Sequence, residues 1–191
     1  MGMSVRRALL AGLLVGALLA PAVPVRASAT ADLAAFVRKT RTMTFDDFKP
    51  LRGADVESGE WKALGDYGRS LSRCLIVDIP SMSSLVNSGE GGAPYSSALQ
   101  CDGARTKMTQ AALVAWAIAT IAPLLPTMKM KKNPANKRSD RTSVVWTDES
   151  GLTIDFIAYG KGDAKKYPHA SYVIDVEVLS PQSMATPSPT P

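Results

Sequence analysis

The sequence predicts a two-layer α+β domain in which an antiparallel sheet of about five strands packs on a central alanine-rich helix, stapled by one disulfide. Three observations carry that expectation. Periodic segments follow the order α-β-β-α-β-β-β, the last strands alternate apolar and polar residues with period 2, and the chain contains one pair of cysteines, Cys74 and Cys101.

Residues 1–29 read as an export signal, because Arg6 and Arg7 precede an uncharged apolar run and small residues follow at Ala27-Ser28-Ala29. Cleavage is expected near Ala29. An uncleaved anchor is the competing reading, since no charge occurs from residue 8 to residue 25, although Pro21 and Pro24 interrupt that run. Arg6-Arg7 also matches a twin-arginine signal loosely, with Val5 departing from the pattern, so the general secretory route is preferred. No cysteine follows the run to carry a lipid. Residues 30–180 are expected to form one domain and residues 181–191, rich in Pro, Ser and Thr, a disordered tail.

Export places the chain in the periplasm or outside the cell, where thiols oxidise, so Cys74 and Cys101 are expected to pair. In the chain-entropy picture such a loop contributes roughly 3.5 kcal/mol. The first mature helix runs from Asp32 to Thr40, with Leu33, Phe36 and Val37 on one face. A helical turn at Phe45-Asp46-Asp47-Phe48 stops before Pro50, and the polar, glycine-punctuated stretch 51–67 reads as a surface loop around Trp61.

Residues 73–80 are a short β-branched run and predict a buried strand; a second strand around residues 97–101 would form a hairpin with it and bring the cysteines together. Between them lies a Ser/Gly-rich loop, residues 81–94. Residues 105–125 form the central helix, whose alanines permit close approach to a sheet and whose end is marked by Pro123 and Pro126. A loop at 128–141 follows, then strands at 142–147, 152–159 and 172–179, the first two joined tightly by Asp148-Glu149-Ser150-Gly151.

Charge narrows the functional classes. The formal net charge is +5, from 22 basic and 17 acidic residues. Losing Arg6, Arg7 and Arg26 with the signal leaves 19 basic residues and a net of +2. The excess sits in the 128–141 loop, where Lys129, Lys131, Lys132, Lys137, Arg138 and Arg141 face one acid, Asp140. Clustered cations can bind an anionic macromolecule or an envelope surface by counterion release; no aromatic residue interleaves them to stack bases, which argues against nucleic acid.

Catalytic and metal candidates are sparse. One histidine, His169, excludes a multi-histidine metal site, and two cysteines exclude a four-thiolate zinc site. His169 is the natural general base, yet Gly68-Arg69-Ser70-Leu71-Ser72 lacks the second glycine of a nucleophile elbow. Asp46 and Asp47 are a carboxylate pair whose side chains diverge by about 100° on a helix. Asp155, Asp175 and Glu177 are expected on a wet sheet face without the spaced acids of a calcium loop. The 87–92 stretch lacks the Lys-Ser/Thr of a phosphate loop, and Lys161-Gly162-Asp163 matches an adhesion tripeptide by length alone. The expectation is an exported non-enzymatic binding protein without metal or cofactor. A small secreted hydrolase using His169 or Asp46/Asp47, and a structural envelope protein, are the alternatives.

Overall fold

The structure, a computed structural model, describes residues 25–80, 94–135 and 140–185. Eight strands form one antiparallel sheet: β1 (Arg52–Glu57), β2 (Glu60–Ala63), β3 (Leu71–Pro80), β4 (Pro94–Ala104), β5 (Lys129–Asn133), β6 (Thr142–Thr147), β7 (Leu152–Ala158) and β8 (Ala170–Leu179). Their spatial order is β1-β2-β3-β4-β8-β7-β6-β5, so the C-terminal strand sits in the middle. The helices are few and short: α1 (Val25–Thr40), α2 (Gln110–Ile121), α3 (Asp163–Lys166) and α4 (Pro181–Ala185), with a 3-10 turn at Phe45–Leu51.

This corrects the expected architecture of about five strands packed on a central helix. The five anticipated strands exist as β3, β4, β6, β7 and β8, but three more extend the sheet, and the molecule is mostly sheet. Two of the additions, β1 and β2, come from the stretch read as a loop around Trp61. The third, β5, comes from the lysine-rich segment. All three are polar strands at the sheet's margins; β1 and β5 bury no side chain fully, so neither shows a period-2 signature.

Period 2 works where one face is covered. β6 and β7 bury every second residue, and Val144, Trp146, Leu152, Ile154, Phe156 and Ala158 enter the core with Ile174 and Val176 of β8. Leu33, Phe36 and Val37 of α1, and Leu113, Val114, Ala117 and Ile121 of α2, join the same core. Thr109 caps α2, its side chain accepting the Ala112 N–H at 3.2 Å. Trp116, Phe156 and Tyr172 cluster with centroids 4.8–6.0 Å apart, and the Trp116 indole donates to Thr30 Oγ1 at 2.9 Å.

The β6–β7 hairpin turns as expected. Asp148 Oδ1 accepts the N–H groups of Ser150 and Leu152, and Gly151 takes φ +85°, open to glycine without strain. At the opposite margin the β1–β2 hairpin is tied down by Arg52. Its guanidinium reaches both oxygens of Asp78 at 2.6 and 2.7 Å and lies 4.0 Å over the Trp61 ring.

Cys74 and Cys101 are joined across β3 and β4, with Cα atoms 4.1 Å apart. Ser72 faces Asp102 and Leu75 faces Gln100, so Arg73 and Cys74 together oppose Cys101. That is a β-bulge, and Arg73 takes φ +47° within it. The extra residue turns Cys74 onto the same side as Cys101. Disulfide pairing, and the hairpin expected to create it, are therefore both present.

Residues 1–24 of the expected export signal, residues 81–93, Lys137, Arg138 and residues 186–191 lie outside the described residues. Helix α1 begins at Val25, before the expected Asp32, and includes the expected cleavage position near Ala29. The tail's first residues are helical in α4. Among the described residues no helix is long and apolar enough to cross a membrane, which together with the disulfide is compatible with export.

Candidate functional site

The first part of the basic segment, Lys129–Asn133, is a strand and not a loop. Lys129, Lys131 and Lys132 project from β5, the outermost strand on one side, and all three are exposed, as is Met130 between them. β5 pairs with β6 from Lys129↔Thr147 to Asn133↔Ser143, which leaves its other backbone edge unpaired within the sheet. Lys129 and Lys131 share the face of Thr147 and Val145, whereas Met130 and Lys132 share the core-side face of Trp146 and Val144. No carboxylate pairs with any of these lysines among the described residues.

Arg141 is separated from this group by its bonds. Its Nε donates to Asp163 Oδ2, and its guanidinium lies 5.5 and 5.7 Å from the stacked rings of Tyr159 and Tyr167. The Arg141 hydrogen bond holds the buried Asp163 carboxyl below its usual range and raises Arg141 itself. Of the six cations expected to act together, the structure thus brings three onto one strand and gives Arg141 a structural pair. The same bond removes Asp163 from adhesion-tripeptide duty.

His169 stands just before β8 and joins residues far away in sequence. Its Nε2 lies 2.9 Å from Asp102 Oδ2 and 2.8 Å from Arg73 Nη1, and Arg73 Nε lies 4.0 Å from the same carboxylate oxygen. Asp102 can be bonded only by a proton on Nε2 and Arg73 only by a lone pair there, so one tautomer serves one of the two contacts, and Nε2 is occupied by these charged neighbours in either case. No hydroxyl or thiol is hydrogen-bonded to His169 among the described residues. An Asp–His pair is therefore present, but it engages Nε2 alone, and no nucleophile stands beside it among the described residues. Ser70 is held elsewhere, its Oγ and N–H both donating to Asp32 Oδ2 at 2.7 and 2.9 Å.

Arg73 and Asp102 were the residues missed by sequence reading. A signal existed: each adjoins one half of the disulfide, so pairing Cys74 with Cys101 already sets Arg73 near Asp102. Arg73 also borders an open depression of ≈ 400 Å³ whose other walls include Lys62, Asp66, Tyr67 and Leu75.

Both remaining carboxylate groups have structural surroundings. Asp46 pairs with Lys49 at 2.6 Å, and Asp47 Oδ2 accepts the Thr44 N–H at 2.6 Å, so these neighbours point to different partners. Asp155 and Asp175 face each other across β7 and β8. Burial, with Glu177 nearby, pushes Asp155 up to about 6 and Asp175 up to about 7. The expected wet face is thus partly closed at its centre. No group of three or more His, Cys, Asp or Glu suited to a metal occurs among the described residues. Comparison with protein-family models, with curated proteins and with solved structures finds no match to this chain.

Proposed function

We propose that the chain is an exported, non-enzymatic binding protein that docks onto an anionic macromolecule or envelope surface through its basic edge strand β5. The observation that carries this reading is the joint exposure of Lys129, Lys131 and Lys132 on the outermost strand, with no paired carboxylate among the described residues. Three cations within four residues displace counterions from an anionic surface together, whereas isolated lysines contribute little. Export is supported by the signal-like residues 1–29 and by a disulfide suited to an oxidising compartment. A hydrolase is less well supported, because the described partners of His169 are charged groups and include no nucleophile.

Cosedimentation of the mature chain with vesicles made with and without an anionic phospholipid, alongside binding to heparin, tests the proposal. Binding should require the anionic lipid, weaken as salt rises and fall about tenfold or more in K129E/K131E/K132E. Equal binding by that variant, or to neutral vesicles, would sink the reading.

A further inference from the structure

Opposite edges of the sheet carry opposite charge. On β1, Ala54, Asp55, Val56 and Glu57 are all exposed, while Arg52 at its start is consumed by Asp78. On β5, Lys129, Met130, Lys131 and Lys132 are all exposed. Each edge therefore reads charge, apolar, charge: Asp55-Val56-Glu57 on one side, Lys129-Met130-Lys131 on the other. Val56 and Met130, 52% and 49% exposed, are among the few large apolar side chains left in solvent.

Register makes these edges fit each other. Glu57 and Lys129 are the two ends of one row across the sheet, through Glu60, Val77, Ala98, Glu177, Thr153 and Thr147. Asp55 and Met130 end the adjoining core-side row, which begins Asp55, Trp61, Ile76. Seven antiparallel steps separate β1 from β5, so they run in opposite directions. A second copy moved along the rows and turned to follow the sheet's twist brings its β5 antiparallel to β1: Glu57 comes opposite Lys129 and Asp55 within diagonal reach of Lys132, while the residue directly opposite Lys132 is Arg52, whose charge is offset by Asp78.

We propose that the partner of the basic edge is a second copy of this chain, the β1 edge of one molecule docking on the β5 edge of the next. This inference rests on reading β5 as a docking edge and names its occupant. Edge lysines and an irregular strand normally oppose pairing of sheet edges; here they oppose β5 against β5 and β1 against β1, where like charges would meet, and leave β1 against β5 attractive. The contact is head to tail and does not close on itself, so it builds a row of copies. Exposed ion pairs make it weak and sensitive to salt.

Sedimentation velocity of the mature chain tests this, in buffer on the order of 10 mM and of 0.5 M ionic strength. At low salt the weight-average mass should rise with concentration to roughly twice the monomer or more, and return to monomer at high salt. The variants D55K/E57K and K129E/K131E/K132E, both confined to exposed positions, should each stay monomeric, and an equimolar mixture should recover the association. A wild-type chain that stays monomeric at low salt, or association unaltered in either variant, would overturn the inference. If the monomeric chain still binds heparin, self-docking fails and the docking edge survives; if it binds neither, both fail.

Discussion

Asp155 and Asp175 are the residues at which the fold acts against itself. Opposed across β7 and β8, each keeps one buried oxygen without a hydrogen-bond partner among the described residues, and Glu177 adds a third negative charge. Around them in the sheet stand Gln100, Val145 and Ser143, of which only Ser143 offers Asp155 a hydrogen bond. Folded values of about 6 and about 7 lie above the usual 3.8, so between pH 4 and about 7 the native chain binds more protons than the unfolded chain. This pair's contribution is therefore favourable at low pH and is lost as pH rises through that window. We predict that D175N stabilises the protein by about 1–2 kcal/mol at pH 8 and changes it little at pH 4. Chemical denaturation from pH 4 to 8 checks this; an equal effect at both ends would contradict it.

At the scale of elements, the sheet is held where a large side chain covers a gap. Gly103 of β4 lies opposite Tyr172 of β8, and a Cβ on it would stand 2.1 Å from the tyrosine ring. G103A should cost about 1–3 kcal/mol, read as a lower denaturation midpoint with an unchanged slope. A midpoint within error of wild type would show that the ring moves freely. The same scale separates what was legible in the sequence from what was not. β6, β7 and β8 announce themselves because one face of each is buried, as Val144, Trp146, Ile154 and Phe156 show. β1 and β5 do not, since each is exposed along most of its length and is held in the sheet by one neighbour. His169 was legible as a candidate, but its partners were not: Asp102 lies 67 residues away, and only the bulge at Arg73 and the pairing of β4 with β8 bring the three together.

Across the whole molecule, charge is arranged by edge. Three lysines gather on β5, two carboxylates on β1 and more at the centre of the outer face, while Arg52 and Arg141 are tied to acids, to Asp78 and Asp163. The formal net charge of +5 thus conceals a sheet with edges of opposite charge, and three lysines become a directional surface because they share one strand. The disulfide fixes the β3–β4 hairpin beside the β1–β2 margin. Amide hydrogen exchange of residues 30–191, diluted until the chain is monomeric and followed with and without heparin at low salt, tests the docking edge most directly. The account predicts added protection at Lys129–Asn133 and its neighbour β6, with none around Arg73, Asp102 and His169. Protection confined to the Arg73–Asp102–His169 group, with β5 unchanged, would contradict it.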